Sequence, residues 1–167
     1  MGLFDKLFKK EPAVELPVVA DDAIIALGTG EVIDVTTVPD AMFAQQMMGK
    51  TIAYKLSDKA VVSPVNGTIE VAFPTGHAFA VRMKDGTGIL VHIGVDTVSL
   101  NGKGFKPVVK VGQAVKAGQT CVEVDWNTVK NAGLDTSTMM IITEPVDGKE
   151  YNFVQPGPVS KNQKVNL

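Results

Sequence analysis

TIEVAFPTGHAFAVRMKDGTGILVHIGV, residues 68–95, carries three short runs rich in Val, Ile, Thr and Phe with turn residues between them. Thr68–Phe73, His77–Met83 and Ile89–Val95 read as strands, because β-branched and aromatic side chains suit a pleated, half-buried surface. Pro74-Thr75-Gly76 and Asp85-Gly86 read as the turns that join them, since glycine accepts backbone angles other residues resist. Segments so closely connected pair as antiparallel neighbours.

Outward from this stretch the same grammar repeats. Gly28-Thr29-Gly30, Val38-Pro39-Asp40, Asn66-Gly67, Asn101-Gly102, Ala117-Gly118 and Asp147-Gly148 punctuate further strand candidates at Glu31–Thr36, Val61–Ser63, Val108–Val111, Thr120–Val124 and Met139–Thr143. Helical pattern is confined to Ala41–Met48, a piece near Trp126–Ala132, and the N-terminus. Punctuation this dense predicts an all-β fold, an antiparallel β-sandwich or partly open barrel with short helical pieces. Val111-Gly112-Gln113-Ala114-Val115 followed by Lys116-Ala117-Gly118-Gln119-Thr120 repeats a glycine step, echoed loosely by Val154-Gln155-Pro156-Gly157, and reads as tight turns between strands.

At the N-terminus, Leu3, Phe4, Leu7 and Phe8 fall at helical spacing with Lys6, Lys9 and Lys10 around them, the pattern of a short amphipathic helix. Pro12 and Pro17 bracket the residues that follow and make them a tether. The predicted division is therefore an amphipathic segment and tether over 1–17 and one domain over 18–167.

Composition sets outer limits. The 167 residues suffice for one domain with a sizeable core. Sixteen basic against eighteen acidic residues leave a net charge of −2, so no strong field draws nucleic acid. The single cysteine, Cys121, excludes an internal disulfide and a thiolate zinc cluster. With no spanning run and no signal peptide, the expected location is the cytoplasm, with contact to the inner membrane face through residues 1–10.

The chain has only two histidines, His77 and His92, either side of the Asp85-Gly86 turn. A loop of Met83–Gly86 would put His77 directly opposite His92. A two-residue Asp85-Gly86 turn would put His92 opposite Phe79 and leave His77 as its diagonal neighbour. Either register keeps the rings within reach, with Cβ atoms about 5 Å apart when opposed and about 7–8 Å on the diagonal. An odd-length loop would send them to opposite faces.

Adjacent imidazoles suit metal binding, acid–base catalysis, or nucleophilic transfer in which one ring is attacked and the other steadies the arriving group. Phe73, Phe79, Leu90 and Ile93 predict apolar surroundings, which strengthen hydrogen bonds to a phosphoryl oxygen and protect a phosphoramidate from water. A complete zinc site needs further ligands, and the only thiol is distant in sequence. Two half-buried histidines bonded to backbone within a sheet would also fit the spacing.

Leu90-Val91-His92-Ile93-Gly94-Val95-Asp96-Thr97-Val98-Ser99-Leu100-Asn101-Gly102-Lys103-Gly104-Phe105 closely resembles the active-site signature of the glucose-family enzyme IIA of the sugar phosphotransferase system. Val38-Pro39-Asp40-Ala41-Met42-Phe43, Ser63-Pro64-Val65-Asn66-Gly67-Thr68-Ile69 and Phe73-Pro74-Thr75-Gly76-His77-Ala78 are similar to it in order and spacing, from about Pro17 to Val154. The resemblance implies a fold of the duplicated hybrid motif type. It implies a phosphocarrier in which His92 takes a phosphoryl group from the phosphocarrier HPr and delivers it to the cysteine of a IIB domain. His77 would stabilise the phosphoryl oxygens and Thr75 would orient a ring. Asp40, Phe43, Met47, Phe73, Leu90, Asp96 and Val98 would form the partner-facing rim. No cofactor is required on this reading, although His77 and His92 could share a zinc ion with a regulatory partner. The unphosphorylated form would dock on permeases or metabolic enzymes.

Gly49-Lys50-Thr51, Ser99, Gly76 and Asn66 depart from the family pattern, at the rim and in turns rather than at the histidines. A competing resemblance lies in Ser57-Asp58-Lys59-Ala60, which looks like the modified turn of lipoyl domains, with Lys59 as carrier. A purely docking module would use the apolar rim without any transfer.

Overall fold

The computed structural model describes residues 16–167, so the helix expected at Met1–Lys10 and most of the tether lie outside the described residues. Eleven strands follow in chain order: β1 Gly30–Ile33, β2 Lys50–Leu56, β3 Ala60–Val62, β4 Gly67–Ala72, β5 Ala78–Met83, β6 Gly88–Ile93, β7 Phe105–Pro107, β8 Ala114–Val115, β9 Thr120–Val124, β10 Thr138–Glu144 and β11 Gly157–Val159. Two short helices, α1 Ala41–Ala44 and α2 Trp126–Asn131, and two 3₁₀ turns, Val35–Thr37 and Thr97–Leu100, complete the set. The strands form an eight-stranded sheet in the order β11-β1-β2-β10-β6-β5-β4-β8 and a three-stranded sheet in the order β3-β9-β7. All the strand pairs are antiparallel, and the large sheet does not close.

The core follows from alternation along the strands. Phe79, Val81 and Met83 of β5 and Ile89, Val91 and Ile93 of β6 enter one large cluster with Tyr54, Ile69, Val122 and Met140. The other face of β2, β10 and β6 is covered too: Ala53, Met139 and Ile141 form a smaller cluster with Val38, Phe43 and Val95, and Leu90 packs against it. Covering on both sides explains why Met139–Ile142 is a continuous apolar run, almost fully buried.

Several boundaries differ from the sequence reading. β1 ends at Ile33 because Asp34 caps a 3₁₀ turn, its Oδ1 accepting from Thr36 N at 2.9 Å. The helix at Ala41 stops after one turn: Gln46 adopts a left-handed φ of 53° and its Oε1 takes the Thr51 N–H, which leads into β2. β2 itself was not anticipated, because Ala53 and the flanking lysines dilute the alternation of Ile52, Tyr54 and Leu56. Val108–Val111 is not a strand. Lys110 starts a turn, and the pairing segment lies earlier, at β7.

The glycine echo is a repeated turn of one construction. In Lys110–Gln113 and Lys116–Gln119 the glutamine N–H bonds back to the first carbonyl, while the glutamine Oε1 accepts the first residue's N–H at 3.1 and 3.2 Å. Gly112 and Gly118 supply the left-handed third position. A third copy occurs at Ser160–Gln163, with Asn162 in the left-handed place, rather than at Val154–Gly157.

Candidate active site

The β5–β6 hairpin has an odd loop, contrary to both registers derived from the sequence. Met83 N bonds to Thr87 O and Gly86, at φ 98°, closes a three-residue connection of Lys84, Asp85 and Gly86. His92 is therefore paired with Ala78, not with His77 or Phe79. Strict alternation would have parted the rings. They meet nonetheless, with centroids 5.5 Å apart and planes at 77°.

The reason lies just before β5. His77 precedes the strand, and the chain bends there after Gly76, whose φ is 72°. A Cβ on Gly76 would sit 2.9 Å from the Phe105 Cβ, so a side chain is excluded sterically as well as by backbone angle. Ile93 N still donates to His77 O at 2.7 Å, which ties the backbones of the two histidine segments together. The ring is thus released from the pleat while the main chain stays in register.

Each imidazole is held by one nitrogen. His92 Nδ1 lies 2.8 Å from the Gly94 carbonyl oxygen. A carbonyl can only accept, so Nδ1 carries the proton and Nε2 keeps its lone pair. Thr75 Oγ1 lies 2.6 Å from His77 Nδ1. When the hydroxyl donates there, the proton of neutral His77 sits on Nε2, leaving one ring with a free nucleophilic nitrogen and the other with a free N–H donor.

The surroundings are apolar, though not through all the expected residues. The Phe43 ring centroid is 4.9 Å from that of His92, and the Phe73 centroid is 5.0 Å from that of His77. Leu90 lies on the His92 face, and Met139 is the buried cross-strand partner of His92 on β10. Phe79 and Ile93 instead belong to the main core on the opposite face: Phe79 because the odd register pairs it with Val91, and Ile93 because it follows His92 directly along β6.

His77 is 5% exposed, and His92 is half-buried. Burial pushes both rings below their ordinary 6.5. At His92 burial prevails over the Gly94 carbonyl; the neighbouring His77 also lowers the value, and Asp40 and Asp96 raise it. Both rings are consequently neutral at physiological pH, the state a nitrogen nucleophile requires.

The remaining rim residues spread around this centre. Asp40 caps α1, its Oδ1 accepting from Met42 N at 2.9 Å, and α1 in turn presents Phe43 to His92. Asp96 is exposed at φ 59°, just past the Gly94 turn. Met47, Phe73 and Val98 are 69%, 41% and 55% exposed, as apolar side chains offered to a partner would be. Lys59 stands exposed between β2 and β3, apart from the histidines. Among the described residues no group of three or more His, Cys, Asp or Glu side chains is placed to hold a metal.

Gly94 and Met139 were not singled out from the sequence, and Gly76 only as a turn residue and a departure from the family pattern, although all three shape the site. The signal for the glycines was their place beside each histidine. Met139 gave none, since its role depends on which strand neighbours β6.

Comparison with known proteins accords with this geometry. The family model of the phosphoenolpyruvate-dependent sugar phosphotransferase system, EIIA 1, matches residues 22–147. The glucose-specific EIIA component of the PTS system of Haemophilus influenzae is 37% identical over 145 residues, covering 86% of this chain and 84% of that protein. The glucose-specific EIICBA component of Staphylococcus carnosus is 37% identical over 158 residues, 95% of this chain but only 23% of that longer protein. Among solved structures, glucose permease IIA from Mycoplasma capricolum superposes with a TM-score of 0.82 at 35% identity, covering 86% of this chain and 93% of that one. The chain therefore belongs to the EIIA 1 family of the phosphoenolpyruvate-dependent sugar phosphotransferase system and is a phosphotransferase component of it.

Proposed function

We propose that the chain accepts a phosphoryl group from phospho-HPr on His92 Nε2 and passes it to the cysteine of a IIB domain. The observation that carries this reading is the paired engagement of the two Nδ1 atoms, by Gly94 O and Thr75 Oγ1, with the rings 5.5 Å apart. His92 Nε2 attacks phosphorus as the P–N bond to the donor imidazole breaks, and the donor nitrogen leaves with that bond's electron pair. The N–H of His77 Nε2 stabilises the phosphoryl oxygens while charge redistributes over them. In the second step the IIB thiolate attacks phosphorus and His92 Nε2 recovers its lone pair.

The apolar collar of Phe43, Phe73 and Leu90 keeps bulk water from the phosphoramidate between the two events. Relatives named EIICBA join EIIA to EIIB and EIIC in one chain, which supports a permease IIB domain as acceptor. Such a cycle would run in the cytoplasm, with residues 1–10 touching the inner membrane face.

The exposed apolar rim at Met47, Phe73 and Val98 supports a second role for the unphosphorylated form, docking on permeases or metabolic enzymes. His77 and His92 would supply at most two zinc ligands there through their Nε2 atoms, and the partner would complete the tetrahedron. Phosphoryl transfer itself uses no metal in this reading.

The test is a two-stage transfer assay: phospho-HPr, then this chain, then the IIB domain of a glucose-type permease. One acid-labile, base-stable phosphoryl per chain that is chased onto IIB is the expected result. Labelling of serine or threonine, or a label that IIB cannot remove, would refute the carrier role.

A further inference from the structure

The bond that places the proton of His92 comes from a main-chain carbonyl, and a carbonyl direction is only as fixed as the peptide units around it. Gly94 sits between two such units, with φ 75° in a region glycine samples freely. Both units are pinned from outside β6. On the C-terminal side, Val95 N donates to Asp135 O at 3.0 Å, and this N–H belongs to the same peptide plane as the Gly94 carbonyl that receives His92 Nδ1. On the N-terminal side, the fully buried Thr97 donates from Oγ1 to Ile93 O at 2.5 Å.

The methyl of Thr97 closes the same turn. A Cβ built on Gly94 would lie 2.4 Å from Thr97 Cγ2 and 3.2 Å from Asp135 O, so threonine and the Asp135 main chain fill the space on that side of Gly94. Hydroxyl and methyl thus bear on adjacent atoms of one turn. Asp96 and Asn101, both left-handed, bound the 3₁₀ turn that carries Thr97 back toward Ile93.

From this arrangement we infer that Thr97 is a positioning residue for the phosphoryl acceptor: its hydroxyl fixes the Ile93–Gly94 peptide so that the Gly94 carbonyl holds His92 as the Nδ1–H tautomer with Nε2 free. The inference rests on His92 being the acceptor. Its main readout, the tautomer, needs no phosphoryl transfer, so failure of one can be told from failure of the other.

The test compares Thr97→Val, which keeps the shape and loses the hydroxyl, with Thr97→Ser, which keeps the hydroxyl. Side-chain nitrogen NMR of His92 reads the tautomer in each folded protein, and rapid quench with phospho-HPr reads the rate. Thr97→Val is expected to shift His92 toward the Nε2–H form and to slow uptake by on the order of tenfold to a hundredfold, as small misplacements of reacting groups do. Thr97→Ser is expected to keep the wild-type tautomer.

A folded Thr97→Val protein with unchanged tautomer and rate would overturn the inference, as would a Thr97→Ser protein that behaves like Thr97→Val. If Thr97→Val does not fold, Thr97→Ala takes its place in the same comparison. If neither folds, the wild type decides: a His92 found mainly as Nε2–H overturns the proposal, and Nδ1–H with a slowly exchanging Thr97 hydroxyl upholds it. A tautomer shift in variants of a wild type that takes up no phosphoryl would uphold the brace and overturn the function given to His92.

Discussion

Replacing His77 by glutamine separates the two roles assigned to the rings. The amide of Gln can reach toward the position of the imidazole Nε2 and donate one N–H, but it loses two constraints that the structure shows. Thr75 Oγ1 no longer has Nδ1 to hold at 2.6 Å, and the tilted packing on Phe73 at 5.0 Å disappears. The donor remains in kind and loses its preorganisation. Removal of one preorganised donor from a transition state costs on the order of a hundredfold to a thousandfold. A partial mimic falls at the lower end, so delivery to IIB should slow about a hundredfold, or about 2.7 kcal/mol at 1.36 kcal/mol per factor of ten. Thr75→Val, which leaves the ring and removes only its anchor, loses one ordinary hydrogen bond of about 0.5–1.5 kcal/mol, a slowing of roughly twofold to tenfold. The assay is single-turnover rapid quench of the phosphorylated protein mixed with excess IIB. Wild-type delivery rates in His77→Gln would refute the stabilising role, and a Thr75→Val slower than His77→Gln would refute the order of dependence.

Other consequences of the same geometry can be checked independently. Gly94→Ala forces a left-handed alanine against Thr97 Cγ2 at 2.4 Å. The backbone costs about 1–2 kcal/mol and overpacking about 1–3 kcal/mol more, so denaturant unfolding should show a loss of about 2–5 kcal/mol. Because burial lowers both histidines below 6.5, the unfolded chain binds more protons just under that value. The stability due to the two neutral rings is therefore complete above 6.5 and lost as pH falls through their depressed native values, which urea midpoints at a series of pH values will reveal as a slope absent from His77→Gln/His92→Gln. A peptide of Met1–Lys10 should gain helical circular dichroism on anionic vesicles, and an unchanged spectrum would end the membrane reading. The isolated protein should release zinc on dialysis, since among the described residues no third ligand joins the histidines; one retained equivalent would contradict this.

The general architecture was legible because glycine and Asx turns separate β-rich runs along the chain, and that punctuation survives any error in register. What escaped was whatever depends on parity or on distant neighbours. A loop one residue longer or shorter than supposed reversed the face of Phe79, placing it in the main core, whereas Ile93 lies there simply as the neighbour of His92 along β6. The same slip should have separated the histidines, and only the bend at Gly76 and His77 restored their contact. Proximity of the rings was thus anticipated for a reason the structure replaces.

The supporting cast of the site was hidden for a related reason. Gly94 acts through its carbonyl and Asp135 through its own, and main-chain contributions leave no side-chain signature to read. Thr97 looked like one more residue of a recognised stretch until its hydroxyl was seen on Ile93 O. The third glutamine turn escaped because Asn162 stands where its two copies carry glycine.

On the function proposed above, His92 Nε2 is the atom that carries phosphorus. Nitrogen- and phosphorus-detected NMR of the protein after brief incubation with phospho-HPr tests it most directly, through the coupling between phosphorus and a single ring nitrogen. The predicted result is one phosphoryl per chain coupled to Nε2 of His92, with His77 unlabelled and Nδ1 of His92 still protonated. Coupling to Nδ1 of His92, to either nitrogen of His77, or to no nitrogen at all would contradict it.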